Sequence, residues 1–219
     1  MGEKKLSLRR QLQQKFKPYD EIDKTITKQL ALCASPSSVY GEWRSYMISL
    51  EISCHGLSWL SLCCIMLWFS QNQTFQQLIV NLFFALILDI VLVAVIKATV
   101  RRGRPSGNRN DMKFTFSIDN YAFPSGHASR SVCLAVIFYV QRIGGILGSY
   151  FSIAWAVAIC ISRILLGRHH VGDVLAGILL GLFEAWFVLF IWFSVDTTQY
   201  ILRSFSMFQK YFGDDMDVV

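Results

Sequence analysis

Residues 150–193 read YFSIAWAVAICISRILLGRHHVGDVLAGILLGLFEAWFVLFIWF, which is two apolar segments joined by a short polar turn. The segments are Tyr150–Leu166 and Val174–Phe193. Each is long enough to cross a bilayer as a helix, which takes about 20 apolar residues with a range near 17–25. The turn places His169 and Asp173 between the two segments. The stretch therefore predicts two membrane-spanning helices with a polar site at the membrane interface.

Three more apolar runs precede this pair, and they are Tyr46–Phe69, Leu78–Ile96 and Ala128–Val140. The second is long enough to span a bilayer, whereas Glu51 and His55 interrupt the start of the first. The third reaches a workable length only if its helix begins at Ser125-Gly126 and continues to about Arg142. We therefore expect an all-α, multi-span transmembrane helical bundle of about five spans.

The composition agrees with a membrane protein. Hydrophobic residues make up 53% of the chain and charged residues 16%, with a mean hydropathy of +0.41, whereas soluble domains carry about 25% charged residues. The net charge of +6 comes from basic residues beside the apolar runs. Anionic lipid and an anionic substrate explain these residues better than nucleic acid, for which no basic domain or binding motif is present. No Cys-x2-Cys pair occurs, which argues against thiolate zinc and redox sites.

The basic residues also predict an orientation. All 21 Lys and Arg residues except Arg142, Arg203 and Lys210 lie on one side of a five-span bundle. Because basic residues favour the cytosolic side, the N-terminus and the polar turn are expected to face the cytosol. The predicted organisation is an interfacial amphipathic region over residues 1–45, a transmembrane domain over 46–195 and a C-terminal tail over 196–219.

The N-terminal region contains two apolar stripes with a spacing of four residues, formed by Leu8, Leu12 and Phe16 and by Ile22, Ile26 and Leu30. Such stripes predict amphipathic helices. These helices could lie on the membrane surface with the apolar side down, or they could pack against the bundle. The acidic segment Gly213–Val219 is predicted to be disordered.

The turn at 162–173 carries the first of three candidate motifs. His169 and Asp173 are four residues apart, which would place them on one helix face. An acid beside an imidazole holds its tautomer and leaves the other ring nitrogen as a nucleophile. Arg163 could grip two phosphate oxygens with its planar fork. His170 could also face Asp173, and a single interfacial histidine could simply be a polar residue at the headgroups.

The second motif is Pro124-Ser125-Gly126-His127 at the start of the third apolar run. Free backbone N–H groups at a helix start favour a phosphate group, and Gly126 would let the substrate approach the backbone. His127 could then protonate a departing oxygen. Ser125 is interpreted as a cap or a phosphate contact, because no base stands beside it in the sequence.

The third motif begins where the second apolar run ends, with Lys97 and Arg104. By themselves, Lys97 could snorkel to the interface, and Arg101, Arg102 and Arg104 could be ordinary flanking charges. Together with Arg163, however, Lys97 and Arg104 supply three cations for a phosphoryl group in its transition state, where electrostatic stabilisation is the major catalytic contribution.

The three motifs, Lys97-x6-Arg104-Pro105, Pro124-Ser125-Gly126-His127 and Ser162-Arg163-x5-His169-x3-Asp173, resemble the signature of the type 2 phosphatidic acid phosphatase superfamily, which includes vanadium haloperoxidases and glucose-6-phosphatase. The resemblance implies that His169 forms a phosphohistidine, that Asp173 orients it, and that His127 is the general acid. It implies that the phosphate is held by Lys97, Arg104, Ser125, Gly126 and Arg163. It also implies that no metal ion or other cofactor is needed.

Three shorter runs, 88–94, Arg101–Pro105 and Phe123–Ala128, most resemble the polyisoprenoid diphosphate/phosphate phosphohydrolases of that superfamily. This resemblance implies a membrane lipid phosphate substrate such as farnesyl, geranylgeranyl or presqualene diphosphate, and a location in the endoplasmic reticulum and nuclear envelope. The alternatives are a broader phosphatase for phosphatidate and sphingoid phosphates, a non-catalytic membrane scaffold of the same fold, and a vanadate-dependent oxidase.

Four polar residues inside the apolar runs complete the pattern. Asp89 and Glu184 are costly in lipid, so structural pairing inside the bundle is expected for both. Glu184 could instead line a cavity for a lipid tail. Glu51 and His55 are also expected to face the bundle interior, and the alternative is that they simply lie near the membrane boundary.

Overall fold

The computed structural model describes residues 8–109, 111 and 120–213, and the side chains of 17–109, 111 and 120–204. Within these residues the chain forms helices and no strand, which confirms the all-α prediction. The elements are α1 Leu8–Leu30, a short 3₁₀ turn Gly41–Trp43, α2 Arg44–Ser53, α3 Gly56–Phe69, α4 Gln73–Val100, α5 Gly126–Val140, α6 Gly145–Leu165, α7 Val171–Phe190 and α8 Val195–Gly213.

Three helices are long and apolar enough to cross a membrane, namely α4, α6 and α7 with 28, 21 and 20 residues. A fourth span exists if α2 and α3 are counted together, although they are bent by 46°. Helix α5 begins at Gly126, as the Ser125-Gly126 start predicts, but its 15 residues are short for a span. The chain is an integral membrane protein, and the fifth span remains a prediction.

The bend between α2 and α3 corrects the prediction of one continuous first helix. His55 has an extended backbone conformation, with φ −70° and ψ 129°. The carbonyl oxygen of Cys54 accepts a hydrogen bond from the guanidinium of Arg130 in α5, at 3.2 Å. This hydrogen bond from another helix satisfies a carbonyl that the break leaves without its helical partner.

Close packing between α5 and α7 brings the starts of these two helices together. Gly177 and Gly181 of α7 face the backbone of α5. A Cβ at Gly177 would lie 2.6 Å from the carbonyl oxygen of Ser125, and a Cβ at Gly181 would lie 2.3 Å from that of Ser129. Small residues four apart let two membrane helices approach this closely. This close packing places the motif at the start of α5 beside the motif at the start of α7.

The two buried carboxylates Asp89 and Glu184 are each paired through one oxygen, as their cost in lipid predicts. Asp89 of α4 forms an ion pair with Arg130 of α5, at 2.6 Å. Glu184 of α7 accepts a hydrogen bond from the hydroxyl of Ser129, at 2.9 Å. Apolar side chains from α3, α4, α5 and α7 pack around them, including Ile79, Leu82, Leu86, Leu134, Ile137 and Val188.

The N-terminal stripes belong to one helix, α1, rather than to separate helices. This helix contacts the end of α6 and the start of α7, while Ile22, Ile26 and Leu30 remain exposed. The side chains of Leu8, Leu12 and Phe16 lie outside the described residues, as do residues 214–219 of the tail that was predicted to be disordered. The remainder of the predicted C-terminal tail contains α8.

Candidate active site

A sharp turn after α6 places His169 beside Arg163. Gly167 has φ +64°, a left-handed conformation that glycine adopts without strain. The chain then folds back, and the backbone N–H groups of Arg168 and His169 both donate to the carbonyl oxygen of Arg163, at 3.0 and 3.3 Å. Helix α7 begins only at Val171. His169 therefore precedes the helix instead of forming its first turn.

The ring of His169 is oriented by a backbone carbonyl. Its Nδ1 donates a hydrogen bond to the carbonyl oxygen of Ala122, at 2.7 Å. Because a carbonyl oxygen only accepts, Nδ1 carries the proton and Nε2 keeps its lone pair. This arrangement produces the tautomer that a nucleophilic histidine needs.

The predicted contact between Asp173 and His169 is wrong. The carboxylate of Asp173 accepts hydrogen bonds from the backbone N–H and the Nδ1 of His170, at 2.8 and 2.9 Å. The prediction assumed that 169 and 173 share a helix. Since α7 is capped by His170, the neighbour three residues away faces the acid as part of a capping box.

The charge state of His169 follows from its surroundings. Burial lowers the pKa of His169, and the positive charges of Arg104, then Lys97, then Arg163 lower it further. The hydrogen bond to Ala122 acts in the opposite direction, but the pKa stays well below the ordinary value of 6.5. The imidazole is therefore neutral at neutral pH, the state in which Nε2 can attack phosphorus.

The second motif, at 124–127, adjoins the first, at 162–173, through a backbone hydrogen bond. The N–H of Ser125, the residue that caps α5, donates to the carbonyl oxygen of Asp173 at 3.0 Å. The hydroxyl of Ser125 and the Nε2 of His127 are buried and have no partner within the described part of the chain. Gly126 has a packing role, because a Cβ there would lie 3.2 Å from Val93 of α4. Two buried polar atoms are thus available to a bound anion at the N-terminus of α5.

The third motif, which begins at Lys97, contributes buried cations. Lys97 lies in the last turn of α4 and is only 3% exposed, so the snorkelling alternative is wrong. Arg104 donates to the carbonyl oxygen of Arg168, at 3.0 Å. Lys97 and Arg163 lie close enough to act electrostatically on both histidines. All eight site residues predicted from the sequence therefore belong to one region of the molecule, at the ends of α4 and α6 and the starts of α5 and α7.

Glu51 belongs to this region too, and its side chain is buried inside the bundle. One of its carboxylate oxygens accepts from the NH1 of Arg163 at 3.0 Å and from the Nε of Arg168 at 3.2 Å. Both arginine side chains are completely buried. The sequence carried one signal for this contact, since a carboxylate within an apolar run requires a partner.

A family model described as the PAP2 superfamily matches residues 78–196, which is more than half of the 219 residues. The chain belongs to the PAP2 superfamily. The matched segment contains all three motifs, so the resemblance seen in the sequence is confirmed.

Proteins similar to this PAP2 chain are named as phosphatases. The "Probable lipid phosphate phosphatase beta" of Arabidopsis thaliana is 33% identical over 57% of this chain and 70% of that protein. The "Lipid A 4'-phosphatase" of Bacteroides thetaiotaomicron is 33% identical over 47% of this chain and 48% of that protein. The "Phosphatidylglycerophosphatase B" of Bacillus subtilis is 30% identical over 52% and 57%. The PAP2 chain is a phosphoric ester hydrolase, as the motifs predict.

The fold agrees with a solved structure as well. The crystal structure of a transmembrane PAP2-type phosphatidylglycerolphosphate phosphatase from Bacillus subtilis superposes with a TM-score of 0.61. The superposition covers 78% of this chain and 84% of that one, at 23% identity. This likeness supports the transmembrane PAP2 fold.

An apolar groove runs along three of the helices that carry the site of this PAP2 protein. It lies between α6 and α7 over α5, has a volume of about 400 Å³, and is lined by residues that include Val132, Ala156, Cys160, Ile164 and Ile178. Its lining reaches Val171, the residue after His170. Within the described ranges, no three His, Cys, Asp or Glu side chains come together as a metal site requires. The arrangement can hold an anionic head beside an apolar chain.

Proposed function

We propose that this PAP2 protein hydrolyses polyisoprenoid diphosphates and monophosphates through a phosphohistidine formed on His169, without a metal ion. The observation that carries the proposal is the hydrogen bond from Nδ1 of His169 to the carbonyl of Ala122. It leaves Nε2 as the unprotonated nitrogen, in a region where Lys97 and Arg163 supply positive charge.

The proposed reaction has two steps. The cations Lys97, Arg104 and Arg163 hold the phosphoryl oxygens while Nε2 of His169 attacks phosphorus. The bond to the leaving oxygen breaks, and His127 gives that oxygen a proton. Water then attacks the phosphohistidine and loses a proton to His127, the P–N bond breaks, and phosphate leaves while His169 regains its lone pair.

The apolar groove between α6 and α7 supports a lipid substrate. Ligand sites typically combine an apolar lining with a few polar groups at one end. Here the groove extends from Ile153 to Ile164 along α6, eleven residues or about 16 Å of helix, and reaches Val171 at the end near the histidines. A hydrocarbon chain in the groove would place its phosphate at the site.

The preference for a polyisoprenoid rests on the resemblance of 88–94, Arg101–Pro105 and Phe123–Ala128 to polyisoprenoid phosphohydrolases. A broader lipid phosphate phosphatase is the second candidate, and the names of the similar proteins favour it, because these refer to several different lipid phosphates. The endoplasmic reticulum and nuclear envelope are the proposed location. The distribution of basic residues supports a cytosolic site, and protease accessibility of a tag at the N-terminus in sealed microsomes tests that orientation.

A substrate panel on the detergent-purified full chain tests the function. Phosphate release is measured in EDTA from farnesyl and presqualene diphosphate, phosphatidate and a sphingoid phosphate. Turnover of the isoprenoid diphosphates at least tenfold above the others supports the proposed preference, and equal turnover favours the broader phosphatase. Activity that EDTA abolishes contradicts the metal-independent mechanism.

Two matched variants test the nucleophile. His169→Asn removes the attacking nitrogen, and we expect activity to fall to background. His170→Asn leaves a good helix-capping residue at the start of α7 and is expected to retain most of the activity. Full turnover by His169→Asn refutes the assignment, as does a loss that occurs only in His170→Asn.

A further inference from the structure

Helix α1 is tied to the first turn of α7 by side chains that lie on one of its faces. Asp23 accepts a hydrogen bond from the backbone N–H of Gly172, at 3.0 Å. Thr27, which is buried, accepts one from the N–H of Val171 at 3.1 Å. The first N–H groups of a helix have no partner in their own helix. Helix α1 therefore caps α7 from outside.

The same face of α1 holds Arg102, which was predicted to be an ordinary flanking charge. Its NH2 donates to Asp20 at 2.6 Å and to Asp23 at 2.8 Å. Its NH1 donates to Asp173 at 2.6 Å. One partly buried guanidinium thus joins three carboxylates, from α1 and α7. Charge-assisted bonds of this kind are about twice as strong as neutral ones.

Two hydrogen bonds, both made by the backbone of Ala122, connect Arg102 to the ring of His169. The carbonyl oxygen of Arg102 accepts from the N–H of Ala122, at 2.8 Å. The carbonyl oxygen of Ala122, a fully buried residue, accepts from Nδ1 of His169 at 2.7 Å. The position of Arg102 therefore determines where the acceptor for His169 lies.

We propose that Asp20 and Asp23 of α1 are positioning residues for His169, acting through Arg102 and Ala122. The inference rests on the proposed function, because it needs His169 as the nucleophile. Reactive groups must be held to within a few tenths of an ångström, and a misplacement of about 1 Å can cost about 100-fold in rate. The carboxylates of α1 hold Arg102, and the backbone of Arg102 in turn holds Ala122 against the ring.

Gly172 indicates that the contact with α1 is closely fitted. A Cβ at this position would lie 2.8 Å from the Oδ2 of Asp23 and 3.6 Å from the NH1 of Arg102. A Cβ here would push the Asp23 carboxylate away from the position in which it reaches both the backbone N–H and the guanidinium. A Gly172→Ala variant should therefore weaken both contacts while keeping every charge.

The main test uses Asp20→Asn combined with Asp23→Asn in the full chain, with Glu21→Gln as the matched control. Glu21 lies on the same helix, is exposed, and pairs with Lys24 at 3.0 Å. We expect the double variant to lose about 10–100-fold in kcat with less than about a threefold change in KM, because misalignment affects the transition state more than binding. The control should retain kcat within about twofold.

A double-mutant cycle separates positioning from general support of the fold. In an Arg102→Gln background, the change of Asp20 and Asp23 to Asn should have no further effect on kcat, because the path to His169 is already broken. Additive losses in kcat overturn the proposal, since they mean that α1 acts by another route. If the double variant does not fold, the single variant Asp20→Asn preserves the cap on Gly172 and should still lower kcat.

The outcome for His169→Asn distinguishes the two levels of the proposal. If that variant is inactive and Asp20→Asn with Asp23→Asn keeps full kcat, the positioning role is wrong and the proposed function stands. If His169→Asn keeps its activity, the proposed function fails and the positioning role fails with it. A fall in kcat that matches a fall in the folded fraction, measured by melting in detergent, also overturns the proposal.

Discussion

The carboxylate of Glu51 is the most informative single group to perturb, because it joins two completely buried arginines. It accepts hydrogen bonds from Arg163 and Arg168 at 3.0 and 3.2 Å. A Glu51→Gln variant keeps the shape of the side chain and removes its charge. Arg168 retains an ion pair with Asp111 at 2.7 Å, whereas the described contacts left to the side chain of Arg163 are with the neutral hydroxyl of Ser162.

The expected loss of stability follows from that loss of charge. Removing one partner of a buried ion pair costs about 3–5 kcal/mol, because the remaining charge stays buried without compensation. For a domain of this size, 1 kcal/mol corresponds to about 2–4 °C, so the melting temperature should fall by roughly 6–20 °C. An oxyanion bound at Arg163 would return negative charge to the site. Orthovanadate should therefore stabilise Glu51→Gln more than it stabilises the parent protein.

The assay is thermal unfolding of the detergent-purified protein, with and without orthovanadate. Glu21→Gln serves as the control, since Glu21 is 61% exposed and a surface change of this kind is usually worth within about 0.5 kcal/mol. A melting temperature for Glu51→Gln within about 2 °C of the parent, together with an equal shift in orthovanadate, would refute the reasoning. That result would mean that Glu51 does not compensate the buried positive charges of Arg163 and Arg168.

Two further predictions concern pH and packing. The lowered pKa of His169 keeps its imidazole neutral below pH 6.5, so the acidic limb of kcat/KM should lie below that value. Arg104→Gln should move the limb upward, because a positive neighbour is removed. A limb above pH 6.5 in the parent contradicts this account. Gly181→Ala places a Cβ 2.3 Å from the backbone oxygen of Ser129 and should cost about 1–3 kcal/mol, measured by melting. Gly103→Ala, with nothing within 4 Å of its Cβ, is the control and should melt like the parent.

Much of the site could be predicted because its residues occur in compact motifs at the ends of apolar runs. The start of α5 at Gly126 followed from the length that a span requires, and Ser125 occupies the N-cap position without a capping hydrogen bond from its side chain. The pairing of Asp89 followed from the cost of a carboxylate in lipid. In both cases the physical rule involves only neighbours along the chain or the surrounding solvent.

The hydrogen-bond partner of the His169 ring was not predictable by the same reasoning. Spacing rules apply inside a helix, and whether position 169 is inside depends on the turn at Gly167. The partner of the ring is Ala122, a carbonyl from a segment 47 residues away. A backbone oxygen carries no sequence signal, because every residue has one.

The amino-acid sequence by itself determined the helical membrane character of the protein, the family, and the residues that carry charge and proton-transfer chemistry, because apolar length and motif spacing are local properties. Only the tertiary structure decided which of these groups touch. Arg101 and Arg102 are identical in type and adjacent in sequence, yet the guanidinium of Arg102 joins three carboxylates from α1 and α7. The physical reason is that burial and ion pairing depend on how distant helices pack, and a residue type does not specify its neighbours in space.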